Sequence, residues 1–166
     1  QRFRAWARRW AYRQLLRRCP ATVAVSASVR DSLVADLGAP EAADRVRVVT
    51  NGVIVPDPVP AEMLRAARAR YGLPDSDPLV LAAGRLSEQK NFAMLLEATA
   101  RLRASGGPRF RVLIAGDGPL RAYLTRRCHE LGLDDQVVMP GSVDDLQDLM
   151  LGADLFVLPS LWEGLP

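Results

Sequence analysis

The sequence predicts an α/β protein built on a parallel sheet with flanking helices. Three observations carry this. From Ala61 onward, short apolar runs alternate with stretches of helical periodicity, the connections are a few residues long, and glycine or proline marks the main junctions. Strands joined in this way through helices require right-handed crossovers and therefore run parallel.

Taken in order, Gln1 to Arg18 reads as a helix with Phe3, Trp6, Ala7 and Trp10 on one stripe. Cys19-Pro20 ends it. Thr22 to Ser26 reads as a short strand, and Ser26 or Ser28 offers an N-cap to a helix carrying Leu33, Val34 and Leu37, closed by Gly38. Val46 to Thr50 is the next strand. Val55-Pro56-Asp57-Pro58-Val59-Pro60 can continue neither a helix nor a central strand, so it reads as an interdomain linker. A helix to about Tyr71 follows, with Leu64, Ala67, Arg68 and Tyr71 on one face. Strand Leu79 to Ala83 leads into helix Asn91 to Ala104, where Phe92, Leu95, Leu96, Thr99 and Leu102 keep helical spacing. Strand Phe110 to Ala115 turns at Gly116-Asp117-Gly118-Pro119 into helix Leu120 to Leu131, with Tyr123, Leu124 and Cys128 expected to face inward and Pro119 in the first turn. Strand Gln136 to Met139 precedes a short helix carrying Leu146, Leu149 and Met150, for which Ser142 and Asp145 resemble a capping box. Strand Asp154 to Leu158 ends at Pro159.

Composition narrows the classes. With 49% hydrophobic and 25% charged residues in 166, the chain has the balance of a globular protein, and a net charge of +3 is too slight to argue for nucleic acid. No apolar run approaches the roughly eighteen residues of a membrane span. Cys19 and Cys128 are too few for a disulfide framework or a zinc cluster, which points to a reducing compartment and to both packing as small apolar groups. No metal site and no cofactor is expected. Arg2, Arg9, Arg13 and Arg17 share one face of the first helix beside its tryptophans, so this helix is a candidate peripheral contact with an anionic membrane; a solvated helix face is the plainer alternative. There is no Met at position 1, and Trp162-Glu163-Gly164-Leu165-Pro166 reads as a phrase that introduces a further element, so the sequence is expected to be a piece of a longer chain.

In an open parallel sheet the loops at the carboxyl ends of the strands gather on one edge, where ligands bind. Gly84 to Lys90, Gly116 to Pro119, Pro140 to Val143 and Pro159 to Pro166 should therefore line one crevice. Arg85 and Lys90 place a forked guanidinium and a compact ammonium beside Gly84, which suits a pyrophosphate that must be neutralised without a metal. Lys90 is the only lysine among 22 basic residues. A solvated loop that happens to carry two charges is the ordinary alternative. Gly116-Asp117-Gly118 opens like a dinucleotide fingerprint, but Arg121 stands where the third glycine belongs, and no acidic residue ends the next strand. Hydride chemistry is set aside on those grounds.

The pieces Gly84-Arg85-Leu86 with Gln89-Lys90, Gly116-Asp117-Gly118-Pro119, Pro140-Gly141-Ser142-Val143 and Pro159-Ser160-Leu161-Trp162-Glu163-Gly164-Leu165-Pro166 together resemble the retaining glycosyltransferases of family 4 (glycosyl transferases group 1), two-domain enzymes of GT-B architecture with Rossmann-like domains. Val25-Ser26 and Val48-Val49-Thr50-Asn51-Gly52-Val53 look like the end of that family's amino-terminal domain. The resemblance implies a division into residues 1–52, the end of the acceptor domain; 53–60, the linker; and 61–166, an incomplete nucleotide-sugar-binding domain, the chain being truncated at both ends.

By position, the resemblance implies that Arg85, Lys90 and Gly84 grip the diphosphate of a UDP- or GDP-sugar. Glu163 would lie near the donor sugar, Ser142 and Val143 near the nucleobase, and Gly116 and Asp117 would line the crevice. It implies sugar transfer with retention to a glycan, a lipid-linked or a small-molecule acceptor, as in cell-envelope glycan synthesis, by a cytoplasmic protein peripheral to the inner face of the membrane. No catalytic residue of the family's acceptor domain falls in this stretch, and the 166 residues alone are expected to be inactive. His129 does not match the family's active-site histidine. Asn91 stands where many members have glycine and is expected to tolerate an unusual backbone and cap the next helix. A nucleotide-sugar epimerase of the same fold, or a non-catalytic docking module, are the alternatives.

Overall fold

The computed structural model describes residues 10–15, 18–37, 40–53, 55 and 59–163. The chain divides into two compact units, residues 1–55 with 163–166 and residues 56–162.

In the first unit, residues 10–15 and 18 are helical; the rest of the expected first helix, with Arg2, Arg9 and Arg17, lies outside the described residues. Strand β1 (Thr22–Ala24) pairs in parallel with β2 (Val46–Val48) across helix α1 (Ala27–Leu37). Ser26 caps α1 as expected: its Oγ accepts the Val29 N–H at 3.2 Å. Both strands are shorter than the apolar runs that contain them, and a 3₁₀ segment, Pro40–Arg45, fills the connection into β2. Ala24 and Val46 form a small core under Val29, Leu33 and Val34. The Gly38 stop and Pro56 to Pro58 lie outside the described residues.

The second unit is a four-stranded parallel sheet with helices on both faces. Its elements are α2 (Ala61–Arg70), β3 (Leu79–Ala83), α3 (Phe92–Ala104), β4 (Arg111–Ala115), α4 (Arg121–Glu130), β5 (Val137–Gly141), α5 (Leu146–Leu151) and β6 (Leu155–Phe156). The strand order is β5-β4-β3-β6, all parallel. Because side chains alternate along a strand, the two central strands feed two cores at once. Ala82, Val112 and Ile114 pack on one face with Phe92, Leu96, Leu124 and Cys128 of α3 and α4. Leu79, Leu81, Leu113 and Ala115 pack on the other with Ala67 of α2 and Leu149 of α5. That double coverage is why β3 and β4 read as unbroken apolar runs rather than alternating ones.

Polar groups caught inside are mostly satisfied. Thr99 keeps its place on the buried face of α3 because its hydroxyl donates to the Leu95 carbonyl at 2.8 Å. Arg68 also stays on the inner face of α2, only 9% exposed. Its guanidinium donates to the carbonyls of Pro74 (3.0 Å) and Asp77, tying down the turn that leads into β3. Its Nε has no partner.

Several sequence expectations are corrected. Tyr123 faces outward, at 42% exposure, its ring under the Arg126 guanidinium; Leu102, in helical register with the buried face of α3, is itself 44% exposed and covers the turn at Gly107. Strand β5 runs on through Pro140 to Gly141, which an edge strand permits because the missing proline N–H can face away from β4. Strand β6 is regular over two residues only. Its hydrogen bonds extend from Asp154, whose carboxylate accepts the Leu79 N–H at 2.7 Å, to Val157, whose N–H donates to Leu81 at 2.8 Å. Pro119 lies in the turn before α4 rather than inside it. The capping box before α5 does not form; the Asp145 carboxylate bonds α2 instead.

Candidate functional site

The strand order decides where a site can be. The chain steps outward from β3 to β4 to β5 and then crosses back to add β6 on the other side of β3. In a sheet with such a reversal, the carboxyl ends of the two strands beside it, here β3 and β6, are where a ligand crevice is expected. The loop after β3 holds Gly84, Arg85 and Lys90.

That loop is built tightly onto its neighbours. The Gly84 N–H donates to the Ala115 carbonyl at 2.9 Å, and the Gly116 N–H to the Gly141 carbonyl at 2.7 Å, so the strand ends of β3, β4 and β5 are stitched together. Leu86 is fully buried, its N–H on the Asp117 carbonyl (3.0 Å) and its carbonyl accepting the Leu120 N–H (3.0 Å). Such contact needs glycine. At Gly116, with φ +132°, an added Cβ would fall into the Gly84 carbonyl, and at Gly118 it would lie 2.6 Å from the Leu86 carbonyl oxygen. Asp117 is exposed, and its Oδ1 accepts the Gly118 N–H at 2.7 Å.

Between these anchors Arg85 is exposed, and Lys90 is half-buried. The Lys90 stem runs along Gly84, where a Cβ would meet Lys90 Cε at 3.1 Å. Gly84 therefore makes room for the lysine, and Arg85 and Lys90 belong to one loop. Glu88–Lys90 form a 3₁₀ turn that sequence reasoning missed, and Asn91 ends it in the left-handed region at φ +51°. The expected tolerance of Asn91 is thus used. Its expected side-chain cap is not; the amide lies 3.7 Å from Met94 Sδ instead.

The segment after β6 is held by one residue of the same loop. The Leu161 N–H donates to the Gln89 carbonyl at 2.8 Å, and Gln89 Nε2 donates to the Trp162 carbonyl at 2.9 Å. Nothing in the spacing of Gln89 signals this role, because its partners lie more than seventy residues on. Ser160 Oγ is buried and has no hydrogen-bond partner. Glu163, directly after this segment, is half-buried and groups with the other unit. On the far side of β4, Ser142 is exposed and Val143 packs on the core with Tyr71. The structure thus gathers Gly84, Arg85, Lys90, Gly116, Asp117, Ser142 and Val143 on one edge of the sheet.

Other conspicuous charges serve the fold. Arg103, Arg109 and Arg111 are paired with Asp135 and Asp77 at the opposite end of β4. His129 is exposed, 2.9 Å from Asp134. Cys128 packs in the core, and burial pushes its thiol up to about 11. Among the described residues no helix is long and apolar enough to cross a membrane.

A parallel sheet with this reversal and glycine-stitched loops defines a Rossmann-like α/β unit. The profile of glycosyl transferases group 1 matches residues 65–166, and that of glycosyltransferase family 4 matches residues 1–55. The chain belongs to the glycosyl transferases group 1 family, with GT-B structural neighbours. It is 34% identical over 163 residues to a 2-deoxystreptamine glucosyltransferase of Streptomyces kanamyceticus, covering 95% of this chain and 40% of that protein. An alpha-D-kanosaminyltransferase of the same organism is 32% identical over 163 residues, at 95% and 41% coverage. Among solved structures, Anabaena Alr3699/HepE in complex with UDP-glucose superposes with a TM-score of 0.77 at 22% identity, covering 92% of this chain and 41% of that one. The chain spans about two-fifths of the length of these relatives.

Proposed function

We propose that this chain is the donor-binding part of a glycosyltransferase that moves a hexose from a UDP- or GDP-sugar, with retention, to a glycan, lipid-linked or small-molecule acceptor. One observation carries the reading: Arg85 is exposed on a loop anchored on both sides, with Lys90 along Gly84, at the reversal point of the sheet. Two cations on an anchored loop beside a departing nucleoside diphosphate neutralise charge that grows as the sugar–phosphate bond breaks, and an anchored loop does so with less backbone reorganisation. Arg85 offers a bidentate fork to one phosphate and Lys90 a point charge to the next. Glu163 would orient the donor sugar, and Ser142 and Val143 would border the base. The family and the names of its relatives support sugar transfer as the reaction class.

The test is calorimetric titration of UDP and GDP, in EDTA, into the chain and its Arg85→Ala and Lys90→Ala variants. Loss of one charge-assisted contact should weaken binding by roughly ten- to hundredfold. Metal-free binding of one nucleotide that falls this far in both variants supports the reading. A folded chain that binds neither nucleotide overturns it.

The membrane contact remains part of the proposal. Trp10 and Leu15 expose more than half of their surface close to Arg13 and Arg18 in sequence, a composition suited to an anionic interface. Sedimentation with vesicles containing phosphatidylglycerol should detect it, and binding that is unchanged by Trp10→Ser with Leu15→Ser would remove it.

A further inference from the structure

The loop after β5 is fastened from an unexpected direction. Asp145 directly precedes α5, where a carboxylate ordinarily caps the helix, yet it makes no cap bond. Its side chain is only 11% exposed, and both oxygens are taken by the carboxyl-terminal turn of α2: the Tyr71 hydroxyl donates to Oδ1 at 2.6 Å and Arg70 Nη1 to Oδ2 at 2.8 Å. The hydrogen bond to Asp145, with burial added, raises the phenol to about 12, so the proton stays on Tyr71. At the other end of the loop, Gly141, at φ +98°, accepts the Gly116 N–H at 2.7 Å. Ser142, Val143 and Asp144 are thus an arch of three residues pinned at both ends. Val143 packs on the same core cluster as the Tyr71 ring.

The position of this arch gives the clamp a use. Strand β5 is two strands from β3, about 10 Å across the sheet. That is the reach of a nucleoside measured from a diphosphate held at Arg85 and Lys90. We propose that Tyr71 and Asp145 are positioning residues for the nucleobase, fixing the Ser142–Asp144 arch against which the base of the bound nucleotide rests. The inference rests on the nucleotide-sugar reading above. Neither residue touches the ligand; each acts through the arch. Arg70, 60% exposed, is the weaker arm of the clamp.

The experiment compares UDP, GDP and inorganic pyrophosphate, titrated in EDTA into the chain, Tyr71→Phe, Asp145→Asn and the double variant. Tyr71→Phe removes one hydroxyl and keeps the ring in the core. It should weaken the preferred nucleotide by about two- to tenfold, with pyrophosphate unchanged, because pyrophosphate reads only the cationic loop. Asp145→Asn should behave alike, and the double variant should lose little more than the worse single one, as expected for one shared contact. Equal weakening of pyrophosphate and nucleotide would mean a general loosening of the fold and would overturn the assignment, as would unchanged nucleotide affinity in both single variants. Failure of the unaltered chain to bind any nucleotide would remove the underlying reading and the clamp's role with it, an outcome distinct from a clamp variant that binds normally.

Discussion

Gln89 and Trp162 lie 73 residues apart in sequence and are joined by a side-chain amide donating to a main-chain carbonyl at 2.9 Å. With the Leu161 N–H on the Gln89 carbonyl, one residue holds the segment after β6 against the loop after β3 through two bonds. Replacing Gln89 by alanine removes the side-chain bond and leaves the main-chain one. The expected cost is about 0.5–1.5 kcal/mol, with faster amide exchange confined to residues near Leu161 and Trp162. Hydrogen exchange read by mass spectrometry checks this, and unchanged protection there would show that the amide bond contributes nothing to holding the segment.

A glycine of the site and one of a surface turn differ sharply in what they tolerate. Gly116→Ala places a Cβ in the Gly84 carbonyl at φ +132° and should cost more than about 3 kcal/mol. Gly72→Ala, with open space around it and φ +66°, should cost only about 1–2 kcal/mol. Urea unfolding of the two variants measures the difference; similar midpoints would contradict the close approach of β3 and β4.

The two cysteines should separate by reactivity. Cys128 is 3% exposed with its thiol raised to about 11 by burial, whereas Cys19 is half-buried. At neutral pH iodoacetamide should label Cys19 and spare Cys128 until urea unfolds the chain. Peptide mapping after a short exposure decides, and early labelling of Cys128 would argue that the core under α4 opens readily.

Acid should find the arginine–aspartate cluster at the far end of β4. Asp135 is held below the usual carboxylate range chiefly by its hydrogen bond from Arg103. At Asp77 burial pushes the other way but is outweighed by Arg111 and Arg109. Groups that bind protons less readily folded than unfolded contribute stability above their unfolded value, 3.8 here, and lose it as pH falls through the folded one. Asp135→Asn should therefore lower the urea midpoint at pH 7 and leave a smaller difference from the unaltered chain below about pH 3. A difference that stays the same at both pH values would mean that the charge is not what Asp135 contributes.

What the sequence made legible follows from range. Leu79–Ala83 was bounded correctly, and helices α3 and α4 nearly so, because apolar periodicity and the flanking glycines are local signals. Placing Gly84, Arg85 and Lys90 on a strand-to-helix loop needed no more than that. Missed were the features that depend on a distant partner. Asp145 reads as a helix cap until Tyr71 and Arg70 come near enough to claim it. Arg68 reads as an oddity on an apolar face until the carbonyls of Pro74 and Asp77 are found around it. Tyr123 keeps helical register with Leu124 and Cys128 and still faces solvent, because the apolar stripe needed against the sheet is narrower than the one the sequence offers.

The reversed strand order also fixes when the edge of β3 is covered during synthesis. Strands β3, β4 and β5 come from one continuous stretch and can pair as soon as it has left the ribosome. Their shared edge at β3 must then wait for the last strand. Until Asp154 arrives, the Leu79 N–H and the neighbouring carbonyls of an apolar strand have no partner on that side, which is the condition that favours pairing with another nascent chain. The edge of β3 beside the candidate site is thus covered only once β6 has been made, and chains released just short of Asp154 should be recovered as aggregates where chains released after Trp162 remain monomeric in gel filtration.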